Sequence, residues 1–200
     1  MKKRIAVLVS GGGTNLQALL EAEAAGKIPH GEIAMVVSNN PNAYALERAR
    51  NFGVPAACIN KKELGSQAAF EAELQAVLER NGTDLIILAG FMCILSENFT
   101  SKWPKRIINV HPALIPSFCG EGFYGLRVHQ AALDYGVKVT GTTVHFVNEI
   151  PDGGEIIAQK AIYTEQGDTP EILQKRVMEQ AEWILLPQAA EMVCASMEEM

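Results

Sequence analysis

The sequence predicts an α/β fold built on one open sheet, with helices on both faces. The sheet is expected to be parallel in its N-terminal half and mixed with antiparallel strands in its C-terminal half. Three observations predict it. Short β-branched runs alternate with segments of helical periodicity from Arg4 to Val110. Three glycines stand directly after the first run. The second half closes on two apolar runs joined by a turn-rich stretch too short for a helical crossover.

Each element has its own reason. Arg4-Ile5-Ala6-Val7-Leu8-Val9-Ser10 is short and β-branched, a buried strand stopped by Gly11, Gly12 and Gly13. Asn15 is expected to open a helix whose apolar stripe is Leu16, Leu19 and Leu20. Ile33–Ser38 reads as a second strand, and Asn42 as the cap of a helix through Leu46 and Ala49 that ends at Gly53. Ala56–Ile59 is a third strand, and Phe70, Leu74, Val77 and Leu78 mark an amphipathic helix ended by Gly82. Leu85–Ala89 is a fourth strand running on as a helix toward Leu95, and Ile107–Val110 is a fifth. Residues 111–126 carry three glycines and two prolines and should be a long irregular loop.

A short helix is expected near Val128–Tyr135. Val139–Val147 and Ile156–Ile162 then form strands returning through Asn148–Gly154. Asp168-Thr169-Pro170-Glu171 is a capped helix start, and the last helix should bury Leu173, Val177, Ala181 and Ile184. The result is a Rossmann-like arrangement read as a single domain over 1–200, its halves meeting near 105–106.

The 200 residues are 48% apolar and 20% charged, which excludes a disordered chain. Seventeen Lys and Arg against 23 Asp and Glu give −6, so no nucleic-acid partner is expected. The longest apolar run, Leu85–Leu95, is shorter than the roughly 20 residues of a bilayer span, so no membrane partner is expected either. The N-terminus runs straight into a strand without a signal-peptide core, and the expected location is cytoplasmic. Cys58, Cys93, Cys119 and Cys194 are scattered and read as reduced thiols, with no metal site.

Three constellations carry chemistry. Ser10-Gly11-Gly12-Gly13-Thr14-Asn15 joins a strand to a helix N-terminus, where N–H groups and the dipole favour an anion. Leu16 stands where a dinucleotide fingerprint needs its third glycine, and no Gly-Lys-Ser/Thr follows. A monophosphate therefore fits better than NAD or ATP, with a bare tight turn as the alternative. Asn109 and His111 lie two apart at a strand end and leave on one face. An amide donor beside an imidazole suits acyl transfer, in which oxygen becomes negative; a histidine merely satisfied at a strand end is the plain alternative. Asp152 before Gly153-Gly154 reads as a turn, or as a carboxylate that keeps His111 protonated if the two meet.

Other residues are weaker candidates. Gly90-Phe91-Met92 ends the fourth strand and could border a slot for a flat heterocycle, or simply pack. His145 lies either near the site or inside the sheet. His30 reads as a solvated loop residue, Arg127 and His129 as plain surface groups or, at their loop-to-helix junction, as contacts for an anion, and Glu198-Glu199 as a solvated tail.

Together, Val9 through Gln17, Asn39, Leu46–Ala49, Ala89–Met92, Asn109–Pro112, Leu114–Pro116, His145–Val147 and Asp152–Gly154 resemble the formyltetrahydrofolate-dependent formyltransferase family along essentially the whole chain. The resemblance implies transfer of the formyl group of 10-formyltetrahydrofolate to the amine of 5-phosphoribosylglycinamide in purine biosynthesis. It makes Asn109, His111 and Asp152 catalytic, and puts the ribotide on Gly12, Gly13, Thr14, Asn15 and Glu182. It puts the folate on Gln67, on Met92, Cys93, Ile94 and Leu95, and on Asn148, Glu149, Ile150, Pro151 and Asp152 beside Asn109. Folate is then a co-substrate, with no metal and no nucleotide cofactor; a homo-oligomer is left open.

Cys93 stands where many relatives carry arginine, Ala113 replaces a common serine, and the register shifts by one residue around Met178–Ala181. Members acting on tRNA or hydrolysing the folate carry added domains that this acidic chain is not expected to have. A nicotinamide oxidoreductase lacks its fingerprint here, and a binding module leaves Asn109, His111 and Asp152 without a role.

Overall fold

Strand β1 (Lys3–Val9) is buried along its last five residues because it lies in the middle of a sheet covered on both sides. The computed structural model describes residues 1–197, so Glu198 and Glu199 lie outside the described residues. The other strands are β2 (Gly31–Ser38), β3 (Ala56–Cys58), β4 (Leu85–Leu88), β5 (Ile107–His111), β6 (Val139–Phe146) and β7 (Ile156–Tyr163). They form one seven-stranded sheet in the order β3-β2-β1-β4-β5-β6-β7. Neighbours from β3 to β5 are parallel, and β6 and β7 are added antiparallel. The expected fold class is the observed one.

From β1 the chain first builds outward through β2 and β3, then crosses back to β4 on the other side. The carboxyl ends of β1 and β4 therefore flank a topological switch point, where open α/β sheets bind ligands.

Helices α1 (Thr14–Ala24), α2 (Tyr44–Asn51) and the long C-terminal helix cover one face; α4 (Gln67–Arg80) covers the other. Ile5, Val7 and Val9 pack with Leu16, Leu19, Leu20, Leu186 and Ala189. Ala6 and Leu8 pack with Phe70, Leu74, Leu78 and Phe99. Two short helices that the periodicity did not suggest, α3 (Lys61–Leu64) and α5 (Glu97–Thr100), lead into α4 and follow β4. No helix among the described residues is long and apolar enough to cross a membrane.

Several expectations are corrected. Asn42 does not cap α2: the N-cap is Ala43, without a side-chain bond, and the Ala45 N–H goes instead to the Gly11 carbonyl at 3.1 Å. The glycine loop thus does the capping. Residues 89–96 are not helical, because Gly90 turns the chain at φ +72°. His30 is held by Glu191, whose carboxylate accepts its backbone N–H at 3.1 Å and pairs with its ring. His129 is fully buried on the inner face of α6 (Leu126–Tyr135), while Arg127 turns outward over the Tyr124 ring.

The last helix departs most. It runs as α7 (Pro170–Val177), capped as expected by Thr169, then a π-helical turn over Met178–Glu182, then α8 (Trp183–Ser196). A π-turn holds one residue more than an α-turn. Its extra residue carries Ile184 outward to 42% exposure and puts Leu185 and Leu186 inside. Pro187, one turn on, has no N–H to give to the Trp183 carbonyl, so the ladder is interrupted in the same stretch.

Candidate functional site

The pleat of β5 points Asn109 and His111 to one face while Val110 goes to the other. Antiparallel pairing sets His145 of β6 directly opposite Asn109. The turn from β6 to β7 then doubles back and lays Asp152 over both strands, with Asp152 itself at φ +56°. One carboxylate meets three side chains: Oδ1 lies 3.4 Å from Asn109 Nδ2 and 3.5 Å from His145 Nε2, and Oδ2 lies 3.4 Å from His111 Nδ1. Oδ2 also accepts the Gly120 N–H at 2.9 Å.

Partners fix the ring protons. His145 Nδ1 faces the Phe146 carbonyl at 2.7 Å and must donate, which leaves Nε2 to accept from Asn109 Nδ2 at 3.2 Å. His111 Nε2 likewise donates to the Phe118 carbonyl at 2.8 Å. Its Nδ1 then faces the carboxylate and is the atom where a second proton would settle.

Burial pushes His111 below its ordinary value; the Asp152 charge and the Phe118 carbonyl push it part of the way back. The Asp152 charge thus acts on His111 in the expected sense, while burial, the larger cause, acts against it. Burial also raises Asp152, but the His145 and His111 rings in their protonated forms, with the Gly120 N–H, outweigh it and hold the carboxyl below its usual range.

Behind this group sits His129, buried with no partner on either ring nitrogen. Burial and then the nearby His111 push it down to about 4 from 6.5. The unfolded chain binds a proton there that the folded chain does not. This contribution to stability is complete above pH 6.5 and is lost as pH falls toward 4, up to about 3 kcal/mol. Urea unfolding at pH 6.5 and 4.5 is expected to show a shallower loss for His129→Leu than for the parent; equal losses would remove His129 as the cause.

The glycine loop reaches the same place from the other side. Gly13 caps α1 at φ +74°, and a Cβ there would stand 2.6 Å from Ala45 Cβ, so only glycine lets α2 close on the loop. No acidic or basic side chain occupies the first turn of α1, which leaves its N–H groups to an anion. Asn15 Nδ2 donates to Glu182 at 2.8 Å, and the π-turn is what brings Glu182 there. Burial raises the Glu182 pKa against that bond. Asn15 Oδ1 is buried and unpaired.

A cavity of about 770 Å³ joins these groups. Thr14, Asn15, Met92–Leu95, Asn109, His111, His145, Asn148–Asp152 and Glu182 line it. Gly12 and Gly13, next in the chain to Thr14, are not among its lining residues, and Gln67 is tied to the lining by a 3.0 Å bond to the Ile94 carbonyl. Met92 and Ile94 are 57% and 66% exposed, so the slot beside β4 is more than core packing. A second cavity of about 640 Å³ lies between α1 and α8 and contains neither His111 nor Asp152. Among the described residues, no group of three or more His, Cys, Asp or Glu is placed to hold a metal ion. The Phe118 carbonyl and Gly120 N–H were missed by the sequence reading, because backbone groups leave no mark on residue identity. Gln174 and Met178 line the cavity as well, reached only through the fold of the last helix.

Residues 3–189 match the formyl transferase family. The chain is 40% identical to the phosphoribosylglycinamide formyltransferase of Haemophilus influenzae over 89% of its own length and 81% of that protein. It is 43% identical to the bovine trifunctional purine biosynthetic protein adenosine-3 over 97% of its own length, but spans only 18% of that protein. The solved glycinamide ribonucleotide transformylase 1 of Symbiobacterium toebii superposes with a TM-score of 0.91 at 41% identity, covering 98% of this chain and 89% of that one.

Proposed function

The chain belongs to the formyl transferase family, and from that membership we propose that it transfers the formyl group of 10-formyltetrahydrofolate to the amine of 5-phosphoribosylglycinamide in purine biosynthesis. The observation that carries the reading is the meeting of Asn109, His111, His145 and Asp152 on one wall of a cavity whose other walls are an anion-ready helix end and an apolar slot. The volume suits two small substrates lying end to end. The ribotide phosphate takes the N-terminus of α1 at Gly13–Asn15, and its ribose hydroxyls meet Glu182 and the unpaired Asn15 Oδ1. Met92–Leu95 and Asn148–Pro151 clasp the flat folate ring.

Attack by the substrate amine on the formyl carbon forms a C–N bond and leaves negative charge on oxygen. Asn109 turns one amide hydrogen from His145 to that oxygen. His111 gives it Nε2–H, and the oxygen takes the place of the Phe118 carbonyl. The ring's affinity for a second proton rises as the charge develops, and Nδ1 beside Asp152 takes the one that the attacking amine releases through water. The amine's proton passes through water and His111 to the departing folate nitrogen as that C–N bond breaks, so no net proton is consumed.

The test is purified protein with 10-formyltetrahydrofolate, with and without 5-phosphoribosylglycinamide, following deformylated folate. Ribotide-dependent turnover is expected, with His111→Ala slower by about 10³-fold. Deformylation independent of ribotide would make the chain a hydrolase instead. No turnover in folded, folate-binding protein would leave a binding module.

A further inference from the structure

We infer that Glu71, which touches none of the catalytic groups, is a positioning residue that sets the folate-reading edge at Met92–Ser96; the inference rests on the reading above. Glu71 lies on the inner side of α4 and is 7% exposed. A carboxylate that deep is costly unless its oxygens are bonded. Its donors are uncharged: Oε1 accepts the Ser96 N–H at 2.7 Å and Gln67 Nε2 at 2.5 Å, and Oε2 accepts the Ser96 hydroxyl at 2.5 Å. No cation pairs with it among the described residues. An ion pair therefore does not account for this charge. Every bond it makes serves one stretch of chain.

That stretch has no regular structure of its own between Gly90 and Ser96. Beside a 4.0 Å contact of the Cys93 thiol with Gln67 Oε1, it is pinned at three places. Met92 N–H donates to Ser10 Oγ at 2.8 Å, the Ile94 carbonyl accepts Gln67 Nε2 at 3.0 Å, and Ser96 is held twice by Glu71. Glu71 thus acts at two of the three pins, directly at Ser96 and through Gln67 at Ile94. Between the pins, the backbone N–H groups of Cys93, Ile94 and Leu95 have no protein acceptor among the described residues, while Met92 and Ile94 stay exposed toward the cavity. Unpaired backbone donors beside an apolar slot suit the acceptor-rich edge of a flat heterocycle. Fixing them beforehand removes an ordering cost from binding.

Glu71→Gln keeps the shape but removes the charge: its one oxygen can still accept from the Ser96 N–H and Gln67, and its NH2 can be taken only by the Ser96 hydroxyl, so three charge-assisted bonds become weaker neutral ones. Steady-state kinetics with both substrates and titration with unreactive 5-formyltetrahydrofolate read the effect. Glu71→Gln is expected to raise KM and Kd for the folate about tenfold, with kcat within about threefold and the ribotide KM unchanged. Ser96→Ala, which loses one bond, should move the same way by about threefold, and serves if Glu71→Gln does not fold. An unchanged folate Kd in either folded variant overturns the inference. So does a parallel rise of both KM values with a lowered Tm, the mark of a general structural role. Parent protein that binds folate yet transfers no formyl group counts against the proposed function alone, and the Kd comparison still decides the role of Glu71.

Discussion

Asp152→Asn is expected to lower kcat by about 10²- to 10³-fold while the protein stays folded. The substitution changes charge and little else. Asn tolerates the left-handed backbone that Asp152 holds at φ +56°, and its amide oxygen can still accept the Gly120 N–H. What disappears is the negative charge 3.4 Å from His111 Nδ1, which is needed when that nitrogen is protonated. The sign of a second readout follows. The Asp152 charge raises His111 against burial, so removing it lets the ring titrate still lower. Following the His111 ring proton by NMR across pH 4 to 8 should show a midpoint below the ordinary 6.5 in the parent and lower again in the variant. Near-parental kcat in folded Asp152→Asn would remove Asp152 from the mechanism, and a midpoint that rises would refute the charge argument.

Gly154→Ala is expected to cost more than about 3 kcal/mol of stability and most of the activity with it. A Cβ at this position would stand 1.8 Å from the Phe146 carbonyl oxygen, far inside the 3.0 Å below which Cβ contacts essentially never fall. Neither partner can yield cheaply, since both are backbone. Phe146 also accepts the His145 ring proton at 2.7 Å through that same carbonyl. Opening the turn to admit a methyl group would therefore tilt His145 and swing Asp152 off His111 together. Denaturant titration and turnover on the same preparation test this; a variant within about 1 kcal/mol of the parent would show that the turn relaxes without cost.

The parallel half was legible because its strands are apolar on both faces, a pattern that few other structures produce. Asn109 and His111 were legible for the same reason, standing as polar residues at the end of such a strand. His129 was not: the hydrophobic stripe of α6 places a ring inside, but nothing local says that both its nitrogens go unpaired. Asn42 failed as a cap because the competing acceptor, the Gly11 carbonyl, is more than thirty residues away in the chain. Ile184 failed because a helical period extrapolated through a π-turn arrives one residue early. Asp152 was readable as a residue but not as a neighbour, since its approach depends on a turn whose glycines pack against Ile150 and Phe146.

The π-turn also makes the last helix forgiving of a change in length. Each residue of an α-helix advances about 100° around the axis, so one residue added to a regular helix would rotate everything beyond it off the core. Here the surplus residue is absorbed within Met178–Glu182, and Leu173 and Val177 on one side and Leu186 and Ala189 on the other all remain buried. Taking one residue back out should tighten the turn without unseating either flank. The side chains inside it would be re-aimed, Glu182 among them. Insertions and deletions at this point can thus retune what faces the end of the cavity that Glu182 lines, while the hydrophobic scaffold on either side stays in phase.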